Sequence, residues 1–161
     1  MNDSVFICKE FSIVQHADVL KLGTDAITLG CITEFSNPTN ILDIGTGTGI
    51  LTLMMAQKYQ AQFTAIDILE ESFMCASHNF EQSKWAHTIH CQQISLQDFC
   101  ISTHELFDGI ICNPPFFSNS LRNNNTTKTI ARHTAALSPA DLFACSQSLL
   151  THRGILSIII P

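Results

Sequence analysis

No apolar run in the 161 residues approaches the length that crosses a bilayer, and the amino terminus has no basic segment followed by an apolar block. A helical membrane span and a secretory signal are both excluded, so the expected setting is cytoplasmic, with no membrane partner. Charge is scarce as well: charged residues make up 14% against 45% hydrophobic, enough apolar material for one real core in a chain of single-domain length. The formal net charge of −6 gives no overall basic field of the kind that gathers nucleic acid. Seven cysteines form no CxxC pair and are odd in number, which argues against a disulfide framework and for reduced, mostly buried small apolar residues. The densest metal-type cluster, His87-Thr88-Ile89-His90-Cys91, lacks a second ligand pair at useful spacing, so no metal is expected. One local absence points the other way. No acidic residue falls between Asp108 and Asp141, and that gap holds Arg122, Lys128, Arg132 and His133 in an Asn-rich context. Such a segment can contact phosphate, or simply be a solvated loop.

What is present centres on Ile-Leu-Asp43-Ile-Gly45-Thr-Gly47-Thr-Gly49-Ile-Leu, a buried strand running into a glycine-rich turn and then a helix. Glycines at alternate positions allow φ > 0 and leave the main chain bare for a ligand, while the helix start offers unpaired N–H groups. A dinucleotide fingerprint requires glycine three residues beyond Gly47, and Ile50 stands there. The next strand ends in Asp67, an acid placed to accept both hydroxyls of a ribose. A nucleoside without a pyrophosphate fits this pattern better than a dinucleotide.

Strand and helix patterns alternate along the rest of the chain. An extended piece or hairpin is predicted over 5–15 and a helix over 25–35 with Thr24 as its N-cap. Strands follow at 40–44, 63–67, 89–93, 107–112 and 154–160, with helices at 50–59, 70–83 and 139–151 between them. This alternation predicts an α/β, Rossmann-like fold, a mostly parallel sheet with helices on both faces and the ligand-bearing turns at its carboxyl edge. Ile158-Ile159-Ile160 reads as a central strand rather than an edge.

Asn113-Pro114-Pro115-Phe116 follows the strand at 107–112. The amine of a purine is a poor nucleophile because its lone pair is delocalised into the ring. An Asn113 side-chain carbonyl and the Pro114 main-chain carbonyl can each accept one amine N–H and turn that lone pair outward. The prolines keep Asn113 and Pro114 extended, and Phe116, with Phe117 behind it, offers a face on which a base can stack.

The glycine turn, the Ala-Ile-Asp67 strand end and Asn-Pro-Pro-Phe together resemble the class I S-adenosylmethionine-dependent methyltransferases that act on amino nitrogens. The KLGTDA stretch at 21–26, the NPPFFSNSL segment and Ala131-Arg132-His133 are similar to the bacterial transfer-RNA(Val) adenine-37 N6-methyltransferase family, over nearly the whole chain. The resemblance implies S-adenosylmethionine as cofactor and transfer RNA as partner. It implies cofactor contacts from Gly23, Asp25, Asp43, Gly45, Gly47, Gly49, Asp67, Asp98 and Asn113, catalysis by Asn113, Pro114, Pro115 and Phe116, and substrate contacts from Phe116, Phe117, Arg122, Lys128, Arg132 and His133. The expected organisation is one domain, with residues 1–36 an extension and helix and 37–161 the Rossmann-like core. Such proteins add an antiparallel hairpin after the fifth strand, so a C-terminal truncation is expected, with an open apolar edge. Guanine-N2 methylation of ribosomal RNA and glutamine-N5 methylation of a termination factor use similar Asn-Pro-Pro logic, and a fragment that binds cofactor or RNA without turnover is a further alternative. A dehydrogenase is disfavoured by Ile50.

Overall fold

The computed structural model describes residues 3–16, 19, 22–114 and 137–160. A two-stranded antiparallel hairpin comes first, β1 (Ser4–Ile7) with β2 (Ser12–Gln15), in the register Val5↔Val14 and Phe6↔Ile13. Then follow α1 (Thr24–Ile32), β3 (Asn40–Ile44), α2 (Ile50–Lys58), β4 (Gln62–Asp67), α3 (Glu70–Glu81), β5 (Ile89–Gln93), α4 (Leu96–Ser102), β6 (Phe107–Cys112), α5 (Pro139–Leu149) and β7 (Leu150–Ile158). The last five strands form one sheet in the order β5-β4-β3-β6-β7, parallel at every pairing.

Burial along β3 explains its central place. Ile41, Leu42, Asp43 and Ile44 are all buried, because a parallel strand covered on both faces presents a near-continuous apolar run. Alternation then divides its side chains between two cores. Ile41 joins Leu29, Leu53, Phe63, Ala76 and Phe80 beneath α1, α2 and α3. Leu42 and Ile44 join Phe99, Ile110, Leu142 and Leu149 beneath α4 and α5. Each fully buried Leu or Ile contributes about 1.5–3 kcal/mol, so the two half-cores fix the register.

At the amino edge Asp108 ties three strands together. Its Oδ2 accepts from Thr39 N and Thr39 Oγ1, both at 2.8 Å, and its Oδ1 from Thr151 Oγ1 at 3.3 Å. A depression of about 930 Å³ opens at that same edge, among Thr39, Tyr59, Gln62, Lys84, Trp85 and His87. It contains none of the predicted site residues.

Several predictions from sequence need correction. Thr24 is the first helical residue of α1 rather than its cap; Gly23 holds the cap position and no side chain bonds there. Among the described residues β7 is an edge strand that pairs only with β6. It begins four residues earlier than predicted and ends at Ile158, leaving Ile159 and Ile160 beyond it. The outer side of β7, unpaired among the described residues, agrees with the open apolar edge expected from the sequence; the correction concerns its bounds. The cysteines are all free, but only Cys75 and Cys112 are buried and Cys31 is exposed. The helix α4, Leu96–Ser102, is absent from the elements predicted from sequence.

Gly49 is held by packing. It adopts φ +83°, and an added Cβ would lie 2.5 Å from Cε1 of Phe80. Gly49→Ala is expected to destabilise the protein by about 1–3 kcal/mol in urea unfolding, from left-handed strain and the clash together. A loss under about 0.5 kcal/mol would contradict this packing role.

Candidate cofactor and methyl-transfer site

The parallel sheet brings the ends of β3, β4 and β6 to one edge, with Ile44 paired to both Ile66 and Cys112. The glycine turn leaves β3 there. Gly45 and Gly47 take φ +71° and +57°, and a Cβ on either would meet nothing within 4 Å. Backbone conformation therefore requires glycine at both, and the space over them is open. Gly49 differs: its missing Cβ makes room for Phe80, not for a ligand. This corrects the uniform sequence reading of the three glycines.

Two buried acids hold the turn. Asp67 accepts from Gly47 N at 2.9 Å through Oδ2 and from Leu69 N at 3.0 Å through Oδ1. Each carboxylate oxygen has a second lone pair, so these bonds leave capacity for a ligand's hydroxyls. Asp43 is 1% exposed, and its Oδ2 accepts from Thr46 Oγ1 at 2.8 Å and Thr52 Oγ1 at 2.7 Å. Its Oδ1 is buried without a partner among the described residues. Main-chain bonds complete the frame: Gly45 N and Thr46 N both donate to Ile66 O, at 2.9 and 3.1 Å.

Burial drives the electrostatics. Desolvation pushes the Asp43 carboxyl up from 3.8 to about 6, against the opposing hydroxyl bonds from Thr52 and Thr46. Desolvation likewise raises Asp67, against the N–H groups of Leu69 and Gly47.

The other predicted residues are placed unevenly. Asn113 and Pro114 follow β6 directly, half-buried and buried respectively, beside the turn that leaves β3. Asp98 lies in the first turn of α4, where Ser95 Oγ accepts from Asp98 N at 3.1 Å and donates to its Oδ2 at 2.7 Å. The Ser-x-x-Asp spacing of a helix start was the signal that would have revealed it. Gly23 has φ −99° and no crowding at its Cβ, so the described backbone does not itself require glycine there; Asp25 is in the first turn of α1. Pro115, Phe116, Phe117, Arg122, Lys128, Arg132 and His133 lie outside the described residues. Two neighbours went unread in the sequence: Ile68, 44% exposed next to Asp67, and Asn79, buried behind the turn. No group of three His, Cys, Asp or Glu side chains suited to a metal occurs among the described residues, nor any helix long and apolar enough to cross a membrane.

The family model "Methyltransferase small domain" matches residues 14–160. Two solved structures share the fold. A SAM-dependent methyltransferase from Agrobacterium tumefaciens is 14% identical with TM-score 0.69, covering 98% of this chain and 52% of its own. One from Thiobacillus denitrificans, in complex with S-adenosyl-L-homocysteine, is 17% identical with TM-score 0.58, covering 82% and 46%. Among curated relatives, the tRNA1(Val) (adenine(37)-N6)-methyltransferase of Flavobacterium psychrophilum is 39% identical over 98% of this chain and 68% of its own length. The chain thus has the fold of SAM-dependent methyltransferases and belongs to the methyltransferase small domain family and, within it, to the tRNA1(Val) (adenine(37)-N6)-methyltransferases. Its cofactor is S-adenosylmethionine. The open glycine turn and the two acids fit that molecule, with room over the main chain and acceptor capacity at Asp67.

The raised acids carry a pH signature. A carboxyl whose folded value lies above its unfolded one contributes stability that is fully present below about pH 3.8 and lost as pH rises through about 6. For Asp43 that span corresponds to roughly 3 kcal/mol. In unliganded protein, Asp43→Asn should flatten unfolding free energy across that window, leaving the smaller slope of the same sign from Asp67. A slope equal to wild type would show that Asp43 is not the buried neutral acid.

Proposed function

We propose that this chain transfers the methyl group of S-adenosylmethionine to N6 of an adenine in transfer RNA, adenine 37 beside the anticodon of the valine acceptor, in the cytoplasm. The observation that carries the reading is the juxtaposition of the glycine turn with the end of β6, where Ile44 pairs with Cys112 and Asn113 follows. The name of the relatives supports the same activity and does not favour the ribosomal or termination-factor alternatives.

Bound S-adenosylmethionine supplies an electrophilic methyl on a sulfonium, whose departure as a neutral thioether needs no acid. The chain's residues do the positioning. Asp67 accepts the ribose hydroxyls with the lone pairs that Gly47 and Leu69 leave free, and Ile68 offers an apolar surface beside it for the cofactor's purine. Asp98 accepts from the amino group of that purine. Gly23 and Asp25, at the start of α1, line the same pocket. Asn113 Oδ1 accepts one N–H of the target amine and the Pro114 carbonyl the other, directing the nitrogen lone pair at the methyl. The product proton is lost to water, so no strong base is required. Phe116, with Phe117, stacks on the flipped adenine, contributing about 1–3 kcal/mol. Arg122, Lys128, Arg132 and His133 contact the RNA backbone.

Labelled methyl transfer to unmodified valine transfer RNA, ribosomal RNA and a termination factor tests the substrate, with label expected in the transfer RNA alone. Label in another substrate and none in transfer RNA would overturn the assignment. Asn113→Ala should lower kcat by about 10²-fold or more while S-adenosylhomocysteine still binds in calorimetry. Retained turnover would remove Asn113 from the chemistry.

A further inference from the structure

Asn79 sits on α3, 2% exposed, and its side chain reaches two elements far away in sequence. Its Oδ1 accepts from Val14 N at 2.9 Å and its Nδ2 donates to Val14 O at 3.0 Å, so the amide pairs with β2 as another strand would. The second hydrogen on Nδ2 goes to Thr48 O, in the glycine turn, at 2.8 Å. One planar group therefore satisfies both main-chain groups of Val14 and the carbonyl between Gly47 and Gly49. No other side chain of similar size supplies one acceptor and two donors in that plane. The linkage continues on the hairpin side, where Gln15 Oε1 accepts from Leu22 N at 2.8 Å, just before the Gly23 cap of α1.

Thr48 O is a carbonyl in a turn whose flanking glycines both take positive φ. The other bonds of the turn hold Gly45 N, Thr46 N, Gly47 N and Gly49 N, whereas Asn79 holds this carbonyl at the tip. Such a turn has many accessible shapes, so a buried donor behind it selects one. From this geometry we infer that Asn79 is a positioning residue for the methyl donor: it clamps the glycine turn to β2, so that the pocket's floor and the segment entering α1 are set by one amide. The inference rests on the reading of the turn as the cofactor site. It also gives the hairpin a purpose, since β1 is exposed along its whole length and contributes little to the core.

Asn79→Asp tests the inference because it keeps shape and the acceptor while removing both donors. Leu142→Val, in the core on the opposite face of the sheet, serves as a control for stability loss. S-adenosylhomocysteine affinity is read by calorimetry, donor KM and kcat by methyl transfer, and the unliganded turn by amide hydrogen exchange. Asn79→Asp should weaken S-adenosylhomocysteine at least tenfold and raise donor KM by a similar factor, with kcat at saturation within about threefold of wild type. Exchange at 47–49 should quicken in the unliganded variant and stay at the wild-type rate in Leu142→Val. Gln15→Ala, at a half-exposed position, cuts the next link and should weaken binding about threefold or more; it remains informative if Asn79→Asp fails to fold. Wild-type affinity in both variants, or an equal loss in Leu142→Val, overturns the inference. Failure of wild-type protein to bind S-adenosylhomocysteine overturns instead the cofactor reading beneath it.

Discussion

The structure depends on keeping three left-handed glycines, at alternate positions, in one turn at the end of β3. Nothing in a glycine side chain can hold that shape, so the surroundings must. Asp67 does so through Gly47 N, Asp43 through the hydroxyls of Thr46 and Thr52, and β4 through the paired bonds from Gly45 N and Thr46 N to Ile66 O. The cost is that two carboxyls are buried and both are raised towards the neutral form. Buried groups strained in this way are common where a fold has been shaped for a ligand rather than for stability alone.

The rest of the molecule supports that edge. Because β3 lies at the centre of the sheet, its end is flanked by the ends of β4 and β6, which deliver Asp67 on one side and Asn113 on the other. Asp108 fixes the opposite ends of the strands, so the register that aligns the carboxyl edge is secured from both sides. Asp67 and Asn113 thus stand on opposite sides of the glycine turn, each at or directly after the end of a strand.

Sequence made the centre of the molecule legible and the periphery less so. The strands Asn40–Ile44, Ile89–Gln93 and Phe107–Cys112 fall where apolar runs and strand–helix alternation put them. The turn was legible because Gly-x-Gly-x-Gly has few uses, although pattern alone could not reveal that Gly49 serves Phe80. Asp98 was assigned to the cofactor by resemblance alone, and the helix that carries it was not predicted, since α4 has only seven residues, too few for helical periodicity to emerge. The bounds of β7 were less legible, since its apolar run continues past Ile158, where strand pairing stops. Asn79 carried no signal at all: a polar residue on an amphipathic helix looks solvated until the fold brings β2 and the turn against it.

The most direct measurement is an NMR titration of the unliganded protein with S-adenosylhomocysteine, following backbone amides. Saturable shifts should concentrate at Gly45, Gly47 and the 67–69 segment, with the amino-edge depression around Trp85 and His87 unmoved. Binding that leaves the glycine turn unshifted, or no binding at all, would contradict the account.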